Sequence, residues 1–208
     1  KEVTEQNNGL QVVVIAGNHD SAARLEAPMP LLEDMKIQVK GLIKRTMDGN
    51  IDYSDLMIPL CNRTGEREAL CLAVPFLRQG DQPPLQNQSS GNGYADGVSA
   101  FYTEALSALH HQAQPAEAII AMGPLQAMGV TANTDDESER NIIGGVEGVN
   151  GADLFPPHIA YTALGHLHRA QRVAGRENIR YSGSPLPMSF AEENYKHGVT
   201  MVEIEKGM

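Results

Sequence analysis

The chain contains no tryptophan, few aromatic residues of any kind, and only two cysteines, Cys61 and Cys71. Two sulfurs cannot build the disulfide framework of a small secreted domain, and their spacing is not that of a C-x-x-C metal or redox motif. Basic side chains are also scarce, with 16 Lys and Arg against 26 Asp and Glu and a net charge of −10. A chain of this balance does not bind nucleic acid through bulk charge, although bound metal ions can supply positive charge locally. No apolar run approaches the roughly 18 residues of a membrane span, and no charged-then-apolar leader opens the chain. These absences point to a cytoplasmic protein with no membrane partner. What is present is ordinary globular composition, 41% hydrophobic and 20% charged over 208 residues, enough for one domain to bury a core.

Hydrophobic patterning predicts an α/β fold. Leu10 to Ala16 is a continuous β-branched run, as expected of a strand buried on both faces of a parallel or mixed sheet. Ala22 to Met35 favours helix but carries Pro28 and Pro30, so two short pieces are expected. Ile37 to Ile43, Met57 to Cys61 and Leu70 to Val74 read as strands, with turns at Asp48-Gly49-Asn50 and Thr64-Gly65. The second turn predicts a hairpin that sets Cys61 opposite Cys71, both as thiols in a reducing compartment. Residues 78 to 97 are rich in Gln, Asn, Ser, Gly and Pro and read as surface loop. Val98, Phe101, Tyr102, Ala105, Leu106 and Leu109 then recur at helical spacing and predict an amphipathic helix packed on the core. Ala118 to Met122, Ala160 to Leu164, Ile179 to Tyr181 and Val199 to Ile204 complete the predicted strands. The acidic stretch Thr131 to Arg140 reads as a solvated loop.

Three of these strands, ending at Ala16, Met122 and Leu164, hand over to glycine and an irregular loop. Ligands of open α/β sheets lie outside the carboxyl ends of strands, so these loops are the place to seek a site. In Gly165-His166-Leu167-His168 two imidazoles stand two residues apart after a buried strand, and would share a side if the chain were extended, each offering a nitrogen to a metal. His110-His111, at a polar helix end, lacks that context and is set aside. Gly17-Asn18-His19-Asp20 supplies an amide oxygen as ligand, an imidazole as proton donor and a carboxylate able to orient that imidazole.

Together these two motifs resemble the calcineurin-like metallophosphoesterases, in which G-N-H-D and G-H-x-H are strand-end motifs around a two-metal centre. Ser138 to Gly145, Ala163 to Gln171, and above all Tyr181-Ser182-Gly183-Ser184-Pro185-Leu186-Pro187 with Lys196-His197-Gly198-Val199 resemble the SbcD branch, the nuclease subunits of bacterial SbcCD complexes. The resemblance spans Leu10 to Glu205. It implies a sandwich of mixed β-sheets flanked by helices, two Mn2+ ions, hydrolysis of phosphodiesters at DNA ends and hairpins, and an SbcC-like ATPase partner. It further implies Asn18, His166 and His168 as metal ligands, His19 as the catalytic histidine beside the leaving oxygen, and Asp20 as the carboxylate that orients it. A homodimer is also implied, with Ala22 to Met35 a candidate contributor.

The chain departs from the family pattern in identifiable places. The family motifs D-x-H and G-D-x-x-D should precede Gly17, and the residues ahead of it contain neither. Residues 1–208 are therefore expected to be a partial nuclease domain, without its N-terminal metal motifs or C-terminal cap, and with impaired activity. Ala121-Met122-Gly123-Pro124-Leu125 stands where the family has G-H-L, which puts proline, a residue with no side-chain ligand atom, at the place of a histidine. Two alternatives stay open, a phosphoesterase acting on small phosphodiesters and a non-catalytic interaction module. Arg169, Arg172, Arg176 and Arg180 read either as phosphate contacts near the site or as plain solubilising charges.

Overall fold

The first β-branched run forms strand β1 (Val12–Ile15), which pairs in parallel with β2 (Ile37–Lys40), in the computed structural model, which describes residues 10–85, 93–127 and 151–204. Between them run helix α1 (Ala22–Glu26), helix α2 (Met29–Leu32) and a 3-10 turn over Glu33–Met35. The prolines impose this division: Pro28 caps α2 and Pro30 sits in its first turn, where a missing N–H costs nothing. The Glu26 carboxylate accepts from the main-chain N–H groups of Gly41 (2.7 Å) and Leu42 (3.0 Å), tying α1 to the end of β2.

Six further strands form the main sheet: β3 (Met57–Cys61), β4 (Arg67–Ala73), β5 (Ala118–Pro124), β6 (Tyr161–Gly165), β7 (Gln171–Val173) and β8 (Arg176–Tyr181). Their order is β3-β4-β5-β6-β8-β7, with parallel pairing from β4 through β8 and an antiparallel hairpin at each edge. Helix α3 (Gly93–Gln112) precedes β5, and the short α4 (Gly151–Leu154) precedes β6.

Side chains alternate across the sheet and so define two cores. Leu70, Leu72 and Val74, with Ile119 and Ala121, face α3 and its buried stripe Val98, Phe101, Tyr102, Ala105, Leu106 and Leu109. Cys71 and Ala73, with Ile58, Ile120 and Met122, face the other way and meet Val13 and Ile15 of β1. The result is three layers, α3, the six-stranded sheet, and the β1-β2 pair, a mixed α/β architecture as the sequence predicted. Phe101 and Leu109 are wholly buried, each burial worth about 2 kcal/mol. Tyr53, Phe101, Tyr102 and Phe155 stack edge to face in series at 5.2, 6.3 and 5.6 Å. Gly123 makes room for this row, since a Cβ there would stand 1.8 Å from the Tyr102 hydroxyl.

Several expectations are corrected. β1 is half-buried along its length, because the smaller sheet packs only Val13 and Ile15 onto the second core. Val199 to Ile204 forms no strand; the segment is irregular, with Val199 and Met201 almost fully exposed, since it pairs with no strand among the described residues. Cys61 and Cys71 are both free thiols but do not face each other. The turn closes through Asn62 N–H to Glu66 O (2.9 Å), which pairs Cys61 with Arg67 and Cys71 with Ile58. Burial pushes the Cys71 thiol up to about 12, so it stays protonated and inert. The acidic Thr131–Arg140 stretch and the Ser138–Gly145 segment lie outside the described residues.

Arg67 and Glu117 fasten β4 to the entry of β5, with Arg67 Nη2 2.7 Å from Glu117 Oε2 and the Gln114 N–H donating to the same carboxylate at 2.8 Å. Burial acts to raise the Glu117 carboxyl, but the hydrogen bonds from Arg67 and Gln114 outweigh it and hold the group below its ordinary value. A depressed folded-state pKa contributes stability above the unfolded value, and that contribution disappears as pH falls through the folded one. Glu117→Gln is therefore expected to cost about 2 kcal/mol at neutral pH. The difference from the unmodified chain should close at strongly acid pH, as read from urea midpoints across the acid range.

Candidate metal centre at the strand ends

The carboxyl ends of β1, β4, β5 and β6 open at one end of the molecule. Ala16 O accepts from Phe76 N–H (2.9 Å) just beyond β4, Met122 O accepts from Val74 N–H (3.0 Å), and Pro124 stands opposite Gly165 in the parallel register of β5 and β6. The G-N-H-D and G-H-x-H loops thus begin at the carboxyl ends of strands that belong to different sheets.

Gly17-Asn18-His19-Asp20 forms a tight turn at the end of β1. The Asp20 N–H donates to Gly17 O at 3.3 Å, and the Gly17 N–H donates to Asp20 Oδ2 at 2.7 Å. The Asp20 carboxylate, expected to orient the neighbouring imidazole, has a main-chain partner in its own loop, so it shapes the turn that presents Asn18 and His19. Asn18 is half-buried, while His19 and Asp20 are exposed.

The second loop is not extended as the spacing argument assumed. His166 has φ 94°, left-handed backbone that a non-glycine residue adopts only when its surroundings hold it there. Leu167 is buried in the main core and anchors the loop between the two imidazoles. His168 is held at both levels: its carbonyl accepts from Ser184 N–H (2.9 Å), and its Nδ1 lies 2.7 Å from Glu192 Oε1.

Glu192 is the residue that sequence reasoning missed. It ends a 3-10 turn over Phe190–Glu192 and is completely buried. Its other oxygen accepts from Ser184 Oγ and from Met188 N–H, each at 3.1 Å. Burial acts to raise this carboxyl, yet hydrogen bonds from His168, Met188 and Ser184 hold it below the ordinary range. The available signal was its position seven residues after the Ser-Gly-Ser-Pro segment, but nothing periodic links it to His168, 24 residues earlier. His197 closes the cluster, with Nδ1 3.1 Å from Ser184 Oγ.

The donors present fit part of a metal shell. Imidazole nitrogens and an amide oxygen suit a divalent transition ion, and a ligating histidine backed by a carboxylate is the usual outer-shell arrangement. The shell is incomplete: among the described residues no group of three or more His, Cys, Asp and Glu lies close enough to hold an ion. Pro124, beside Gly165, places a side chain without donor atoms next to the histidine loop.

Of the candidate phosphate-binding arginines, Arg172 and Arg180 both pair with Glu177, and Arg176 Nη1 donates to Phe155 O at 2.7 Å. Arg169, next to His168, is exposed. Among the described residues no helix is long and apolar enough to cross a membrane.

No protein-family model matches the chain. Curated relatives do. The SbcD subunit of the SbcCD nuclease from Rhodobacter capsulatus is 41% identical over 206 residues, covering 97% of this chain and 49% of that protein. Its namesake from Escherichia coli K12 is 32% identical over 95% of this chain and 48% of its own length, and that of Bacillus subtilis is 32% identical over 94% and 47%. The chain spans about half the length of the relatives it matches. Over nearly every residue, then, the chain is similar to about half of an SbcD subunit, and this similarity supports an SbcD-type nuclease subunit.

Proposed function

We propose that the chain is part of a metal-dependent phosphodiesterase that cuts DNA ends and hairpins as the nuclease subunit of an SbcCD-like complex, with an SbcC-like ATPase as partner. The observation that carries the reading is His168, fixed by a buried carboxylate at the end of a parallel strand, in a chain related to SbcD over 97% of its length. Asn18, His166 and His168 would hold metal, Mn2+ by family resemblance. A bound ion would polarise the scissile phosphate and lower the pKa of the attacking water. His19, exposed at its strand end, would give a proton to the leaving oxygen, and the Asp20 to Gly17 hydrogen bond shapes the turn that carries it.

Mn2+-dependent cleavage of end-labelled linear duplex and of hairpin DNA tests this reading. His19→Ala is expected to lower kcat about 100-fold or more with the fold unchanged. Hydrolysis of a nitrophenyl phosphodiester with none of DNA would point instead to a small-substrate phosphoesterase. A second reading, a non-catalytic interaction module, is favoured by Pro124 opposite Gly165. Its signature would be no Mn2+ uptake together with retained binding of an SbcC-like ATPase.

A further inference from the structure

We infer that Glu192 is a positioning residue that sets the tautomer of His168, fixing the ring proton on Nδ1 so that the lone pair of the neutral imidazole sits on Nε2.

The direction of each hydrogen bond follows from which groups can donate. The Met188 main-chain N–H is an obligatory donor and is aimed at Glu192 Oε2 at 3.1 Å. Ser184 Oγ donates to the same oxygen at 3.1 Å, and can in turn accept from His197 Nδ1 at 3.1 Å. Glu192 is wholly buried, and a carboxylate that already takes two donors on Oε2 offers Oε1 as an acceptor to the third group converging on it. At 2.7 Å from Oε1, His168 Nδ1 must then be the donor. The main chain adds a second constraint: Ser184 N–H bonds the His168 carbonyl, so the segment that carries the serine grips both ends of the residue. A carboxylate that orients a ligating imidazole in this way typically changes metal affinity 10- to 100-fold. This assignment deepens the hydrolase reading and takes its purpose from it, but it can be tested without metal.

Imidazole 15N NMR of the metal-free 208-residue chain, with His168 assigned by the signals lost in His168→Ala, should show the proton on Nδ1. Glu192→Gln should reverse it. The amide oxygen must take the Oε2 place to satisfy the Met188 N–H, which turns the NH2 group toward His168 and makes Nδ1 an acceptor. The proton then moves to Nε2, and Mn2+ affinity should fall about tenfold or more. A wild-type ring protonated on Nε2 overturns the assignment, whatever Glu192→Gln does to folding. A Glu192→Gln chain that keeps its proton on Nδ1 overturns it equally. Absence of Mn2+ uptake by a wild type with Nδ1–H intact would count against the hydrolase reading and leave the assignment standing.

Discussion

Gly183→Ala is expected to destabilise the fold by about 3 kcal/mol and to displace the His168 loop. Gly183 has φ 77°, where an L side chain costs roughly 1–2 kcal/mol. A Cβ built there would lie 2.5 Å from the His168 carbonyl oxygen and 2.8 Å from the Ala170 nitrogen, both main-chain atoms that cannot rotate aside. Overpacking of this kind adds about 1–3 kcal/mol. The strain falls on the residue that presents the imidazole, because the Ser184 N–H to His168 O bond begins at the next residue. Chemical denaturation should show the midpoint shift with the slope unchanged. Retained stability together with unchanged His168 NMR shifts would show that this contact does not govern the loop. The Ser-Gly-Ser-Pro segment is thus both a resemblance to the family and the structural backing of the histidine loop.

Glu192→Ala should cost about 3–4 kcal/mol, since removing a buried acceptor strands the donors it satisfied. Here those groups are the His168 ring, the Ser184 hydroxyl and the Met188 N–H, gathered on one carboxylate with no exposed surface. A cavity the size of the lost side chain adds to the penalty. By contrast, Glu177, largely exposed and paired with Arg172 and Arg180, should contribute little when replaced by alanine, because solvent screens such pairs. Parallel urea titrations of the two variants make the comparison, and equal losses would contradict the importance given to the buried carboxylate.

Local chemistry made a good part of the fold legible. The Phe101 and Leu109 stripe could be read as a helix face because helical spacing is a local property, and burial then follows. Pro28 and Pro30 broke the segment after β1 wherever the rest of the chain went. Met57–Cys61 is a strand as read, and the two histidine-bearing loops follow strands because glycine succeeds each apolar run. Register was less accessible: a hairpin closed by Asn62 to Glu66, with a shift between Leu60 and Cys61, moves the cysteines apart by residues that composition cannot count. The Val199 to Ile204 run had the composition of a strand, but a strand needs a paired neighbour, and among the described residues none adjoins it in either sheet.

By itself the sequence determined which residue types could do chemistry, the G-N-H-D and G-H-x-H loops, and the kinship they announce, because ligand chemistry and strand-end punctuation are written in consecutive residues. Only the tertiary structure decided what stands behind them. It spends the Asp20 carboxylate on its own turn, sets Pro124 beside Gly165, and brings Glu192 across 24 positions to His168. A buried hydrogen-bond network is made of directions and distances between segments remote in the chain, and those exist only once the sheet has set its register.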